Sequence, residues 1–179
     1  MVTSETTATA RPAAVVVGPP GAGKTTVGEA LAARLGVPFH DVDAAIEQDQ
    51  GRSISDIFVD DGEPVFRDLE RQAVARALAD ERGVVSLGGG AVMDPLTEAA
   101  LAGHTVVFLD VSIADASKRI GFDRSRPLLS VNPRATWVTM MNHRRPTYER
   151  VATVRVDTAG RTPAEVVDEV VARLDGAHA

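Results

Sequence analysis

The chain reads as an α/β protein with an open sheet of five parallel strands flanked on both faces by helices, and three observations predict it. Short β-branched apolar runs alternate with longer segments of helical period. The runs at 84–87 and 105–111 are continuously apolar, as strands buried on both faces are. A glycine-rich octapeptide stands between the first apolar run and the first helical segment. With 179 residues, 44% of them apolar, there is material for one sizeable core. The expected organisation is therefore a single domain over 12–179 behind a frayed Thr- and Ala-rich tail at 1–11.

The elements follow in order. Ala13 to Val17 reads as a strand, and Thr25 to Leu35 as a helix stopped by Gly36 with Pro38 beyond. Phe39 to Val42 is a second strand. From Ala44 to about Arg82 the period is helical with breaks near Gly51 and Gly62, giving two or three helices. The last of them is long and carries Val65, Phe66, Leu69 and Ala73 at core spacing. Strands at 84–87 and 105–111 precede helices at 112–120 and about 133–150. Between those helices, GFDRSRPLLSVN at 121–132 is polar and long, and reads as a lid. Thr153 to Val156 is the fifth strand. Thr162, Pro163 and Glu165 open the final helix as a capping box with proline at its first position.

Gly18-Pro19-Pro20-Gly21-Ala22-Gly23-Lys24-Thr25 fits G-x-x-x-x-G-K-[ST] between a strand and a helix, the context that a phosphate-binding P-loop requires. The glycines let backbone N–H groups wrap phosphates closely, and the helix N-terminus adds its positive end. Lys24 then bridges the β- and γ-phosphates, and the Thr25 hydroxyl holds magnesium. Gly21, Ala22, Gly23 and Thr26 complete the nucleotide-binding set. A glycine-rich turn that merely resembles such a loop is the plainer alternative.

Asp41-Val42-Asp43 lies where the carboxyl end of the second strand meets the ligand crevice. Taken alone, the segment is better explained as an Asp-rich turn that caps the next helix. Leu87-Gly88-Gly89-Gly90 ends a strand in three glycines, which implies close approach of some group to that backbone.

Together with Phe66-Arg67-Asp68-Leu69-Glu70, Arg126-Pro127-Leu128-Leu129 and Arg144-Arg145-Pro146-Thr147-Tyr148, these segments resemble the shikimate kinases from about Ala13 to Leu174. The resemblance implies a P-loop fold similar to the nucleoside monophosphate kinases, with a substrate-binding helical segment and a closing lid. It implies transfer of a phosphoryl group from ATP, with magnesium, to the 3-hydroxyl of shikimate on the route to chorismate and the aromatic amino acids. By the same resemblance Asp43 meets the ring hydroxyls, Arg67 and Arg144 grip the carboxylate, and Gly88, Gly89 and Gly90 form a pocket wall with backbone donors. Glu70 positions Arg67, Asp41 supports magnesium beside Thr25, Arg126 is the lid cation on the phosphates, and Arg119, Arg161 and Pro163 face the adenine. Lys24, Asp43 and Arg126 are the expected catalytic groups. Arg144 and Arg145 are adjacent, and side-chain direction leaves both open.

The chemistry of such an acceptor agrees with this set. Planar arginine forks suit a carboxylate, and a carboxylate side chain suits hydroxyls. Each arginine also has a plainer role as a solvated or ion-paired surface residue, Arg67 with Glu70 in particular. Phe122, Asp123 and Gly160 depart from the family pattern, and Trp137 reads as helix packing, with a ring that could shift with lid closure as the alternative. Val106-Val107-Phe108-Leu109-Asp110 imitates a Walker B strand, but the resemblance places that strand later in the sheet and implies metal support by Asp41 rather than Asp110.

A net charge of −6 argues against nucleic acid as a partner. No run approaches the ~18 apolar residues of a membrane span, and the N-terminus lacks a secretory signal pattern. The absence of cysteine excludes disulfides. The expectation is a cytoplasmic monomer. A kinase acting on gluconate or a nucleoside monophosphate is the runner-up, and a nucleotide-binding regulatory module is the alternative outside enzymes.

Overall fold

The computed structural model describes residues 11–120 and 132–176. The tail expected at 1–11, apart from Arg11, and the lid segment up to residue 131, Arg126 included, lie outside the described residues. Five strands form one sheet: β1 (Ala14–Val17), β2 (Phe39–Asp41), β3 (Val84–Ser86), β4 (Val106–Asp110) and β5 (Val154–Asp157). Their order is β2-β3-β1-β4-β5 and every pairing is parallel. Eight helices accompany them among the described residues: α1 (Lys24–Leu35), α2 (Val42–Gln50), α3 (Ile54–Asp60), α4 (Glu63–Asp80), α5 (Pro95–Ala100), α6 (Ile113–Ile120), α7 (Pro133–Val151) and α8 (Pro163–Gly176).

The three central strands explain the apolar runs. Every residue of β1, β3 and β4 is buried. The edge strand β5 alternates buried and exposed instead, as a strand with one solvated face does. After β3 the chain crosses to the other side of β1 to form β4. Ligands of open parallel sheets sit at such a switch, outside the carboxyl ends of the strands. The loops leaving β1, β2 and β3 therefore meet at one edge.

Several boundaries shift for local reasons. Gly36 ends α1 in the left-handed conformation as expected, with its amide bonded back to Ala32 and Ala33 carbonyls. The second strand stops at Asp41 rather than Val42. There the Asp41 carboxylate accepts the amides of Asp43 and Ala44, at 3.0 and 3.2 Å, and turns the chain into α2 at once. Val65 is 42% exposed, so the buried stripe of α4 runs through Phe66, Glu70, Ala73, Val74 and Ala77. Its phase takes in an acid that an apolar pattern leaves out. Asn132, counted with the lid, caps α7. The capping box of α8 forms as read, with the Thr162 amide donating to Glu165 and the Glu165 amide to the Thr162 hydroxyl.

Candidate active site

The phosphate loop is shaped by Gly21 and Gly23, at φ +82° and +85°, a region that side chains disfavour. Gly23 caps α1 without a side-chain hydrogen bond, so no side chain competes for the first-turn amides that an anion would take. Lys24 donates to the Pro19 carbonyl at 3.2 Å, curling over its own loop. On the outside, Arg119 donates to the Gly21 and Ala22 carbonyls and to both the hydroxyl and the carbonyl of Thr158. The loop is thereby tied to the turn between β5 and α8. A cleft of about 530 Å³ opens beside it, lined among others by Lys24, Thr25, Thr26, Asp41, Asp43 and Gly89.

Asp41 caps the next helix and also reaches the phosphate loop. One carboxylate oxygen caps α2, and the other accepts the Thr25 hydroxyl at 3.0 Å. Thr25 and Asp41 thus present adjacent oxygens to the cleft. Among the described residues no cluster of three or more acidic or histidine side chains surrounds a common point.

The glycine loop after β3 is where the other predicted groups converge. A Cβ on Gly88 would lie 2.7 Å from a carboxylate oxygen of Asp43 and 2.7 Å from one of Glu70. On Gly90 it would lie 2.6 Å from Nη1 of Arg67, and on Gly89 3.3 Å from Nη1 of Arg144. Side chains thus press on each of the three successive glycines, the close approach that such a run implies.

Arg67 is no ordinary surface partner. Its Nη1 donates to Glu70 at 2.7 Å, and Glu70 is only 3% exposed. The other edge of the guanidinium donates to Glu63, while its carbon stands 5.3 Å from the Phe66 ring and 5.9 Å from the Phe58 ring. Burial opposes its charge, yet the attraction of Glu70 and Glu63 wins and raises its pKa. Burial dominates for Glu70, whose carboxyl titrates above the usual range, with Arg67 pulling the other way and Asp43 adding to the rise.

The adjacent arginines face different partners. Arg145 forks onto Asp110 at 2.8 and 3.0 Å, where Arg155 adds a third bond at 2.7 Å. Although burial works against it, these two cations hold the Asp110 carboxyl below the ordinary carboxylate range. The imitation Walker B aspartate is thus committed to an ion network. Arg144 turns instead toward Gly89 and Tyr148. Tyr148 is fully buried, stacks on Phe108 at 5.1 Å and donates to the Gly89 carbonyl. Burial pushes its hydroxyl up to about 12.

Arg161 and Pro163 are not among the described residues that line the cleft. Arg161 bonds Glu169 and the carbonyls of Asp157 and Glu165, and Pro163 opens α8. The amide of Arg161 donates to the Thr158 carbonyl, the group that also receives Arg119. Sequence reading gave no role to Phe58, Glu63 or Tyr148, and assigned Trp137 to packing. Trp137 is indeed buried, but its indole N–H also donates to the Pro20 carbonyl of the phosphate loop at 3.0 Å.

Comparison with known proteins is consistent with this arrangement. Residues 20–175 match the family model described as shikimate kinase. A shikimate kinase of Thermobifida fusca is 54% identical over 93% of this chain and 97% of its own length. One of Salinispora arenicola is 56% identical over 91% and 98%. Among solved structures, shikimate kinase from Acinetobacter baumannii in complex with shikimate superposes with a TM-score of 0.89 at 32% identity, covering 94% of each chain.

Proposed function

The chain belongs to the shikimate kinase family, and we propose that it carries out ATP-dependent phosphorylation of the 3-hydroxyl of shikimate with the residues gathered between the phosphate loop and the glycine loop. The observation that carries this reading is the convergence of Asp43, Glu70, Arg67 and Arg144 on Gly88–Gly90, of which Asp43 and Gly89 line one cleft with Lys24 and Thr25. A hydroxylated carboxylate needs forked cations at one end and an anionic acceptor of hydroxyl protons at the other. That is the division of labour between the two arginines and Asp43.

Phosphoryl transfer asks the protein mainly for alignment and charge neutralisation. Lys24 and the first-turn amides of α1 receive the ATP phosphates. Asp43 orients the acceptor hydroxyl and is placed to take its proton, and Glu70 holds Arg67 facing the substrate. Arg119 supports the phosphate loop on the adenine side. Thr25 and Asp41 would hold magnesium. One hydroxyl and one carboxylate fit an ion that keeps several waters and takes its remaining oxygens from phosphates. When bound, it neutralises charge on the β- and γ-phosphates.

This reading extends to a cytoplasmic monomer that binds neither nucleic acid nor membrane; the acidic net charge supports the exclusion of nucleic acid. No helix among the described residues is long and apolar enough to cross a membrane. The test is coupled ADP release with shikimate, gluconate and nucleoside monophosphates supplied separately. Shikimate alone should drive turnover; faster turnover with either other acceptor would overturn the assignment.

The arginine roles are separable. Arg144→Ala should raise the KM for shikimate by about 10- to 100-fold, the worth of a charge-assisted hydrogen bond, with the KM for ATP nearly unchanged. Arg67→Ala should do the same and also lower the melting temperature, because buried Glu70 loses its partner. Arg145→Ala should lower the melting temperature through Asp110 and leave the KM for shikimate close to wild type. Steady-state kinetics and thermal melts of the three variants check all three statements.

A further inference from the structure

Helix α7 carries two aromatic donors that reach the two loops walling the cleft, and neither takes part in the chemistry above. Trp137, the only tryptophan of the chain, is 3% exposed and donates to the Pro20 carbonyl of the phosphate loop. Tyr148 donates to the Gly89 carbonyl of the glycine loop. The two loops stand against each other, since a Cβ on Gly89 would lie 3.2 Å from Cδ of Pro20.

Trp137, Met141, Arg144 and Tyr148 follow one another at intervals of four, three and four residues, which puts them on a single helical stripe. Met141 is buried between the two aromatics. Trp137 and Tyr148 are three turns apart, roughly 16 Å along α7, which runs unbroken from Pro133 to Val151 with Pro146 inside it. A buried indole N–H or phenol must find an acceptor. Here each acceptor is a main-chain carbonyl of a loop that holds one of the two reacting molecules. An aliphatic side chain at either position would fill the core without a hydrogen bond to the loop it faces.

We propose that Trp137 is a positioning residue: paired with Tyr148, it makes α7 a spacer that sets the phosphate loop at a fixed separation from the acceptor loop. The inference rests on the kinase reading given above. Transfer between two bound molecules depends on their separation, and a displacement of 1 Å caused from outside the reacting groups can cost about 10²-fold in rate. Loss of one tether should allow a smaller drift, so the expected loss is nearer tenfold.

The test uses Trp137→Phe, Tyr148→Phe and the double variant, which retain the rings and remove the donors. Each single variant should lower kcat by about tenfold with little change in the KM for shikimate. The double variant should lose about as much as either single one, because the same separation is released in each case. A packing role alone would lower the melting temperature without this split between kcat and KM.

Hydrogen exchange supplies a readout that needs no turnover. In Trp137→Phe the amides at 89–91, on the loop bonded by Tyr148 rather than by Trp137, should exchange faster together with those at 21–23. Absence of shikimate-dependent ADP release in the wild-type protein would count against the kinase reading and leave the exchange experiment to decide the spacer. Unchanged exchange at 89–91 in Trp137→Phe overturns the spacer, as does a double variant whose loss in kcat is the product of the two single losses.

Discussion

Lys24→Ala should reduce shikimate-dependent ADP release by at least about 10²- to 10³-fold, the cost of deleting one preorganised donor aimed at developing charge, while the far-ultraviolet circular dichroism stays that of the wild type. The two halves of this expectation come from different features of Lys24. Its side chain is only partly covered, and its bond to the Pro19 carbonyl is local to the loop. The sheet beneath is held by Val15, Val16, Val17 and their neighbours, which Lys24 does not supplement. Truncation therefore removes a cation from the cleft without opening the core. The first-turn amides of α1 would still bind phosphate, so nucleotide affinity should fall less than turnover does. Nearly normal turnover in a folded Lys24→Ala protein would remove the phosphate loop from the mechanism.

Much of this architecture was legible because the physical signal was local. β-branched runs, Gly36, the octapeptide and the Thr162 to Glu165 box each dictate backbone geometry within a few residues. The glycine triplet could be read as a place of close approach, although not what approaches it. That answer joins Asp43, Arg67, Glu70 and Arg144, which lie on three different helices.

The features missed in the sequence belong to contacts over long separations or to helix phase. Nothing near Trp137 points to Pro20, 117 residues earlier. Arg144 and Arg145 differ by one step of a helix, and only the location of Asp110 beneath α7 separates them. Val65 matched the apolar pattern of α4, yet the buried stripe passes through Glu70 because Arg67 neutralises it there. An apolar pattern cannot anticipate a buried acid whose partner sits one turn away on the same helix.

Asp43→Asn should lower turnover by roughly 10²-fold or more, the range of a general-base or orienting group, and leave ATP affinity nearly unchanged. The substitution keeps the size of the side chain next to Gly88 and Glu70, so the close packing there survives. It removes the negative charge and the proton acceptor. Loss of that charge also relieves Glu70, whose carboxyl is raised by burial first and by Asp43 in addition, so the variant should be no less stable than the wild type. Asp41→Asn should behave differently, because Asp41 bonds the Thr25 hydroxyl and caps α2. It should raise the magnesium concentration needed for half-maximal rate, and excess magnesium should restore much of the activity. Titration of both variants with magnesium at saturating shikimate makes the comparison. Rescue of Asp43→Asn with Asp41→Asn insensitive would exchange the two roles, and nearly full activity in both would reduce the pair to a turn and a helix cap.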